Sequence, residues 1–212
     1  MLADKKISKV LDTLGERYPD LKFAEFNRRD PFRTLVSCVI SQRTRDEQTF
    51  EVARRLFRRA RTPRGIAALG TRELESILRR SGFYRQKARH IREISRLIAA
   101  RHGGVTPNTM EELLTLPGVG RKTANIVLSF GFGIPAIAVD THVHRISNRL
   151  GMVRTKNPEE TERALERRIE RSKWISVNNL LVRHGQETCK PIRPLCGACG
   201  LAGICETGRA RG

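Results

Sequence analysis

Long apolar runs are missing from this sequence. No stretch approaches the roughly 20 consecutive apolar residues of a membrane-spanning helix, so no membrane partner is expected. Runs of alternating strands, internal repeats of roughly 20–50 residues and low-complexity linkers are missing too. Acidic residues are scarce, since 22 Asp and Glu face 41 Lys and Arg. Hydrophobic residues make up 39% of the 212, which is enough for one large domain or two small ones.

The shortage of acid leaves a formal net charge of +19. Such an excess costs self-repulsion in the folded state, which a polyanionic partner would relieve. Neutralised phosphates also release counterions and so strengthen binding. An Arg-rich protein from a hot environment is the alternative, but thermophile surfaces usually balance their basic residues with Glu. The charge therefore favours nucleic acid as the partner.

The first residues, MLADKKISKVLDTL, predict an amphipathic helix and not a signal peptide, because acids are interspersed with spaced apolar residues. Four of these share one helical face: Ile7, Val10, Leu11 and Leu14. We therefore expect a cytoplasmic, nucleoid-associated protein.

Apolar residues recur at helical spacing along nearly the whole chain, which predicts an all-α fold. The apolar run Leu35–Ile40 is expected to be a buried helix. Asn108 is expected to cap a short helix that carries Leu113 and Leu114. Pro158, followed by two glutamates, is expected at the start of another helix.

A tight turn between two helices is predicted in LLTLPGVGRKTAN, residues 113–125. Pro117 ends the first helix, and Gly118 and Gly120 permit a tight turn and close backbone approach. A helix that starts near Gly120 leaves N–H groups unpaired, and these suit a DNA phosphate together with the helix dipole. Arg121 adds charge nearby. An ordinary helix–turn–helix corner is the alternative, and the net charge favours DNA.

Four cysteines crowd into the C-terminal segment with the spacing C-x6-C-x2-C-x5-C: Cys189, Cys196, Cys199 and Cys205. In a cytoplasmic protein this pattern indicates a metal site and not disulfides. Four thiolates can hold either zinc or an iron–sulfur cluster. A structural role is expected, since the segment has little core of its own. Cys38, alone in an apolar run, is expected to be a buried bystander.

The hairpin, together with ISQRTRDEQT, IVLSFGFGIPAIAVDTHVHRISNRLG and the four-cysteine tail, resembles the endonuclease III family of DNA glycosylases. The resemblance spans most of the chain and implies two helical lobes with a DNA-binding cleft. It implies a barrel-like domain with the hairpin over residues 22–133 and a cluster domain of residues 1–21 plus 134–212. Residues 131–139 are then the expected non-helical crossing between the lobes. The cysteine spacing implies a [4Fe–4S] cluster.

The same resemblance implies that Lys122 is the nucleophile. A free lysine has a pKa of about 10.4 and attacks poorly at neutral pH. Here the helix N-terminus and Arg121 disfavour the ammonium, and we expect partial burial to add to this. A phosphate-binding surface lysine is the alternative. Asp140, in the VDTH motif, is expected to cap a helix and, by resemblance, to lie across the cleft from the lysine, where it would stabilise positive charge on the sugar.

Further side chains are expected to reach the duplex. The family inserts a polar side chain near Gln42 and Arg43, but its usual glutamine stands one place later, so which residue fills the gap stays open. Phe83 falls where a wedge enters the base stack, and a core residue is the alternative. The remaining expected contacts are His142, the loop residues Lys190 and Arg193, and the hairpin residues Leu116, Gly118, Val119, Gly120 and Arg121.

The function that this resemblance implies is base-excision repair. A bifunctional DNA glycosylase with abasic-site lyase activity, acting on oxidised or damaged pyrimidines in double-stranded DNA, is the first expectation. A mismatch glycosylase for uracil or thymine opposite guanine is the second. A non-catalytic DNA-binding module is the third, and Lys122 with Asp140 argues against it. A monomer suits an enzyme that scans DNA.

Overall fold

The computed structural model describes residues 1–19 and 29–209. Across these ranges the chain is helical and forms no strand, which confirms the all-α class. The chain divides into two compact units, Met1–Phe23 with Pro135–Gly212 and Ala24–Ile134. No helix in the described ranges is both long and apolar enough to cross a membrane.

The α-helices are α1 Asp4–Arg17, α2 Pro31–Ser41, α3 Asp46–Arg59, α4 Pro63–Ala67, α5 Thr71–Leu78, α6 Tyr84–Arg101, α7 Met110–Leu114, α8 Arg121–Ile126, α9 Thr141–Leu150, α10 Pro158–Glu166, α11 Trp174–Glu187 and α12 Glu206–Arg209. A π-helical segment, Val127–Phe132, continues α8 directly, and short 3₁₀ turns cover Arg171–Lys173 and Cys196–Ala198.

Helix α2 is the buried centre of the unit Ala24–Ile134. Residues 34–40 are all buried, and the helix packs against α3, α6, α8 and the π-helical segment. The expectation of a buried helix at Leu35–Ile40 is therefore confirmed. Packing is close where Gly131 meets Pro31, since a Cβ at Gly131 would lie 2.8 Å from the Pro31 Cα. This unit carries the hairpin between α7 and α8.

The other unit buries the apolar face of α1 against α9 and α11. The four apolar residues predicted to share a face, Ile7, Val10, Leu11 and Leu14, are all buried in one core with Val143, Ile146 and Leu181. The predicted amphipathic helix is thus confirmed. Gly185 on α11 allows that helix to approach α9 closely, because a Cβ there would run into His142 and Ile146.

Two local expectations need correction. Thr109, and not Asn108, caps α7: its hydroxyl accepts the Glu112 N–H at 3.3 Å and donates to the Glu112 carboxylate at 2.9 Å. The N-cap side chain accepts the N–H of the residue three places later, which is the relation of Thr109 to Glu112. The connection expected over residues 131–139 starts later, because the π-helical segment runs on to Phe132. The expected start of α10 at Pro158 is confirmed.

Candidate functional site

The hairpin between α7 and α8 has the predicted glycine turn. Gly118 has φ +75°, and a Cβ at this position would collide with the ring of His90. Position 118 therefore requires glycine for two reasons, the left-handed backbone and the lack of room for a Cβ. Leu116 and Val119 are buried, with exposed fractions of 3% and 7%. Their side chains hold the turn in place, so a contact with DNA would come from their backbone.

Helix α8 begins where the hairpin ends. Gly120 is its N-cap residue, as expected, and no side chain of the described residues caps the helix. Arg121 is half-buried and Lys122 is exposed in the first turn. The expected partial burial of Lys122 is therefore wrong. The first turn of α8 therefore presents Lys122 at the surface of the unit.

Cys38, which lies beneath the first turn of α8, is a second side chain near Lys122 that could act as a nucleophile. Its side chain is only 4% exposed, which confirms the expected buried location. Burial raises the pKa of the Cys38 thiol to about 12, although the positive charge of Lys122 acts in the opposite direction. The thiol is therefore neutral at physiological pH and is not a competing nucleophile.

Asp140 is the N-cap of α9 in the other unit. One carboxylate oxygen accepts the backbone N–H groups of both His142 and Val143 at 2.9 Å. The capping role expected from the sequence is confirmed. The two hydrogen bonds fix the carboxylate at the positive end of the helix, where a negative charge is favoured.

The histidines after Asp140 make local hydrogen bonds. The Nδ1 atom of His142 lies 3.2 Å from the Arg145 guanidinium. The Nδ1 atom of His144 lies 2.7 Å from the Thr161 hydroxyl. The structure gives these two rings different partners, in keeping with positions two apart on a helix.

The four C-terminal cysteines line one cavity at the ends of α9, α11 and α12. Burial raises the pKa of the Cys199 thiol, and a hydrogen bond with the Leu201 backbone lowers it. Negative charge on the other three cysteines, Cys205, Cys189 and Cys196, raises it further. Within the described ranges, no three His, Cys, Asp or Glu side chains are arranged around a single metal ion.

Two arginines of α9 hold the cysteine loop, and sequence reasoning did not find them. Arg145 donates to the Cys189 carbonyl at 2.9 Å. Arg149 donates to the carbonyls of Lys190 at 2.7 Å and Pro191 at 2.8 Å, and lies 3.7 Å from the Cys189 sulfur. Their spacing of four residues on α9 was the only available signal.

The cysteine loop held by these two arginines exposes Lys190 and Arg193, the cations that were predicted to contact DNA. Lys190 and Arg193 are both exposed, and Arg193 has a left-handed backbone with φ +52°. Ile192 between them is also exposed, to 81%. The arrangement presents charge on a backbone that is fixed by the arginines of α9.

Three predicted DNA-contacting residues lie close together in the unit Ala24–Ile134. The Gln42 amide donates to the Gly118 carbonyl at 3.0 Å, which links the loop after α2 to the hairpin. The Arg43 guanidinium lies 5.3 Å from the centre of the Phe83 ring, a cation–π contact. Phe83 is 60% exposed, so the alternative role as a core residue is wrong.

Comparison with known proteins gives consistent results. A family model described as HhH-GPD superfamily base excision DNA repair protein matches residues 36–171. Endonuclease III of Thermotoga maritima is 54% identical over 183 residues, covering 86% of each chain. Endonuclease III of Bacillus subtilis is 38% identical over 212 residues, covering 100% of this chain and 96% of its own.

Solved structures agree over the whole length. A trapped endonuclease III–DNA covalent intermediate, an estranged-adenine complex, superposes with a TM-score of 0.89 at 39% identity, covering 100% of this chain and 99% of that one. A thermostable thymine-DNA glycosylase shares the fold at 23% identity, with a TM-score of 0.88 and coverage of 98% and 97%. The chain belongs to the HhH-GPD superfamily of base excision DNA repair proteins.

Proposed function

We propose that this protein removes damaged pyrimidines from double-stranded DNA and cleaves the strand at the resulting abasic site. The observation that carries the proposal is an exposed lysine, Lys122, in the first turn of the helix that follows the glycine hairpin. The similarity to endonuclease III over the whole chain supports it. A module that only grips DNA would need the hairpin but not an amine suited to bond formation.

The reaction proposed for Lys122 uses its neutral amine as the nucleophile. The nitrogen bonds to the anomeric carbon of an extruded nucleotide, and the glycosidic bond breaks, so that the base leaves with the bonding electrons and then takes up a proton. Loss of the nitrogen proton and opening of the sugar give a Schiff base. β-Elimination then breaks the bond to the 3′ phosphate, and hydrolysis of the Schiff base returns the free amine.

Asp140 is proposed as the carboxylate that stabilises positive charge on the sugar as the base departs. It is also a suitable acceptor for the proton that the attacking amine loses. Its two backbone hydrogen bonds fix the carboxylate at the start of α9, so little reorganisation is needed during the reaction.

Replacing Asp140 with asparagine is expected to separate the chemical role from capping. Asparagine caps a helix about as well as aspartate, so the free energy of unfolding should change by less than about 0.5 kcal/mol. Loss of the charge should slow single-turnover excision about 10²- to 10³-fold. Asp140→Ala also removes the cap. Its free energy of unfolding, measured with urea, should be about 1 kcal/mol lower than that of Asp140→Asn. Full activity of Asp140→Asn would contradict the electrostatic role.

Binding to the duplex is proposed to use several surfaces. The hairpin residues Gly118, Gly120 and Arg121 contact phosphate, through backbone N–H groups and the helix dipole, as do the backbones of Leu116 and Val119. Lys190 and Arg193 contact phosphate from the cysteine loop. The remaining contacts are made by Gln42, Arg43, Phe83 and His142, of which the first three act where the base is extruded.

The cysteine loop is proposed to hold a [4Fe–4S] cluster on Cys189, Cys196, Cys199 and Cys205. The fit rests on chemistry: four thiols, which as thiolates are the ligands of iron–sulfur clusters, line one cavity. Bound there, the cluster supplies structural cross-linking of the loop and no redox step. Arg149 and the Gly208 N–H, which lies 3.3 Å from the Cys205 sulfur, would stabilise thiolate charge.

We also propose that the two compact units are the predicted domains of residues 22–133 and of residues 1–21 plus 134–212. The protein is proposed to act as a monomer in the cytoplasm, associated with the nucleoid. Its charge of +19 supports such an association, because binding to DNA releases counterions.

The proposed function is tested by borohydride trapping and by a substrate panel. Cluster-loaded protein should form a covalent adduct with abasic duplex DNA, and absence of an adduct would remove the lyase claim. In the panel, oxidised pyrimidines should be excised faster than uracil or thymine opposite guanine. The reverse order would establish the mismatch alternative, and binding without excision or trapping would indicate a non-catalytic module.

A further inference from the structure

A buried lysine joins the loops that are proposed to enter the duplex. Lys87, in the first turn of α6, is only 3% exposed although it lies close to exposed residues of those loops. Its ammonium donates to the Ile40 carbonyl at 2.6 Å and to the Thr44 hydroxyl at 2.7 Å. Buried lysines are uncommon, because removing a charge from water is costly. The position of Lys87 therefore calls for a specific role.

The Thr44 hydroxyl is the centre of this arrangement. It accepts hydrogen bonds from the Lys87 ammonium and, at 3.2 Å, from the Gly82 N–H. It donates a third hydrogen bond to the Gln42 carbonyl at 3.3 Å. One donor and two lone pairs are all that a hydroxyl has, so its hydrogen-bonding capacity is fully used. The hydroxyl thus connects the 42–44 loop to the 82–83 turn through the Gly82 N–H and to α6 through the Lys87 ammonium.

Both connected segments have unusual backbones. Arg43 and Phe83 have left-handed φ values of +50° and +56°, which are uncommon for residues other than glycine. The segments also meet closely, since a Cβ at Gly82 would lie 2.7 Å from the Arg43 carbonyl oxygen. Such conformations persist only where neighbouring groups hold them. The Lys87 ammonium, which bonds Ile40 and Thr44, is one of the groups that hold them here.

We propose that Lys87 is a positioning residue, which fastens the 42–44 loop to the 82–83 turn so that their side chains enter the duplex together. The stacked pair of Arg43 and Phe83 is then presented as one unit. Gln42 is tied at the same time to the hairpin through the Gly118 carbonyl. The inference deepens the proposed function and rests on it, because it assigns these side chains to base extrusion.

The chemistry of the amine agrees with a fixed hydrogen-bond donor. Burial lowers the pKa of Lys87 to about 8, and its two acceptors are an uncharged carbonyl and an uncharged hydroxyl. Lys87 itself does not reach the surface, so it acts through the two loops and touches no substrate.

Removing the fastening should impair extrusion more than chemistry at a sugar that has already lost its base. Lys87→Met keeps an unbranched side chain that is one atom shorter and donates no hydrogen bond. We expect it to slow excision of a paired lesion by about tenfold to a hundredfold in single turnover, with the main change in kcat and not in KM. Cleavage at a preformed abasic site should change by less than about threefold, because no base has to be expelled.

A mutant cycle distinguishes positioning from a general structural role. If Lys87 acts through the side chains of Arg43 and Phe83, Lys87→Met should slow excision by less than about twofold in a protein that already carries Arg43→Ala and Phe83→Ala. An additive loss in the triple variant would overturn the inference. Ser95→Ala is the matched control, because it also removes a buried donor of α6, one that bonds the Ile91 carbonyl, and it should leave excision unchanged.

A second pair of variants covers the case in which Lys87→Met does not fold. Thr44→Val removes the shared hydroxyl, whereas Thr44→Ser keeps it. The valine variant should reproduce the slow excision, and the serine variant should stay within about twofold of the unmodified protein. Equal activity of the two variants would contradict the inference.

Hydrogen exchange tests the fastening without relying on activity. Amides of residues 42–44 and 82–83 should exchange at least about tenfold faster in Thr44→Val than in Thr44→Ser, while those of α2 stay protected. If the unmodified protein proved inactive, the proposed function would fail, and the same exchange measurement on Lys87→Met would still decide whether Lys87 fastens the two segments. Unchanged exchange in these segments would overturn the inference even in a fully active enzyme.

Discussion

Replacing Lys122 with alanine or arginine is expected to abolish the covalent adduct with abasic DNA, slowing trapping by at least about a thousandfold. Alanine removes the amine and its charge together. Arginine keeps a positive charge at the start of α8, but its guanidinium stays protonated and forms no Schiff base. The pair of variants therefore separates a nucleophilic lysine from one that only binds phosphate.

The measurement is the yield of borohydride-reduced adduct against time, with duplex affinity measured in parallel. Lys122→Arg should bind within about threefold of the unmodified protein, since the phosphate contact keeps its charge. Lys9→Ala, which removes an exposed lysine from α1, is the matched control and should trap normally. An adduct formed by Lys122→Arg would leave Lys122 with the phosphate-binding role alone.

The exposure of Lys122 has a consequence for how the enzyme becomes reactive. The protein by itself supplies a helix N-terminus and a neighbouring Arg121, but not burial. Water would then be excluded from the amine when an extruded nucleotide covers it. Base extrusion and activation of the nucleophile are therefore expected to be coupled during excision of a paired lesion, which is the step in which the loops around Phe83 are proposed to act.

Loss of any one of the four C-terminal cysteines is expected to have the second large effect. Cys199→Ala should yield protein that lacks the absorbance near 400 nm typical of an iron–sulfur cluster and retains less than about one tenth of the iron. Because the binding free energy of a structural metal centre is also folding free energy, the loop should lose its fixed structure. Lys190 and Arg193 would then no longer be presented to phosphate.

Cys38→Ala is the matched control for this change, because it removes a thiol that is buried in α2 of the other unit. It should keep the full iron content and absorbance. Iron, sulfide and zinc analysis of the purified proteins gives the readout, with proteolysis of the 189–205 segment as a measure of its structure. A colourless, zinc-loaded native protein would overturn the cluster assignment, and full iron in Cys199→Ala would remove that residue as a ligand.

Local signals in the sequence were enough to predict the elements that carry the proposed chemistry. Asp140 before an apolar helix and Pro158 before two glutamates mark helix starts, and both were confirmed. Gly118 of the hairpin was also found, because the left-handed turn there requires a glycine. The cap was placed one position early, at Asn108 and not Thr109, since the capping residue is set by which N–H its side chain can reach and not by the first polar residue.

Features that depend on distant parts of the chain were not predictable in this way. Nothing near Lys87 in the sequence indicates a buried ammonium, because its acceptors lie 47 and 43 residues away. The same holds for Arg149, whose partners Lys190 and Pro191 lie 41 and 42 residues away. Sequence patterns report neighbours within a helical turn, and such contacts exist only after the helices have packed.

The sequence by itself determined the helical class, the glycine hairpin with Lys122 after it, the capping aspartate and the spacing of the four cysteines. Each of these follows from residue types within a few positions of one another, where backbone sterics and hydrogen bonding decide the outcome. The tertiary structure alone decided that Lys122 is exposed, that Phe83 stacks on Arg43, and that Lys87 is buried beneath them. Exposure and burial are properties of packed surfaces, which no local pattern contains.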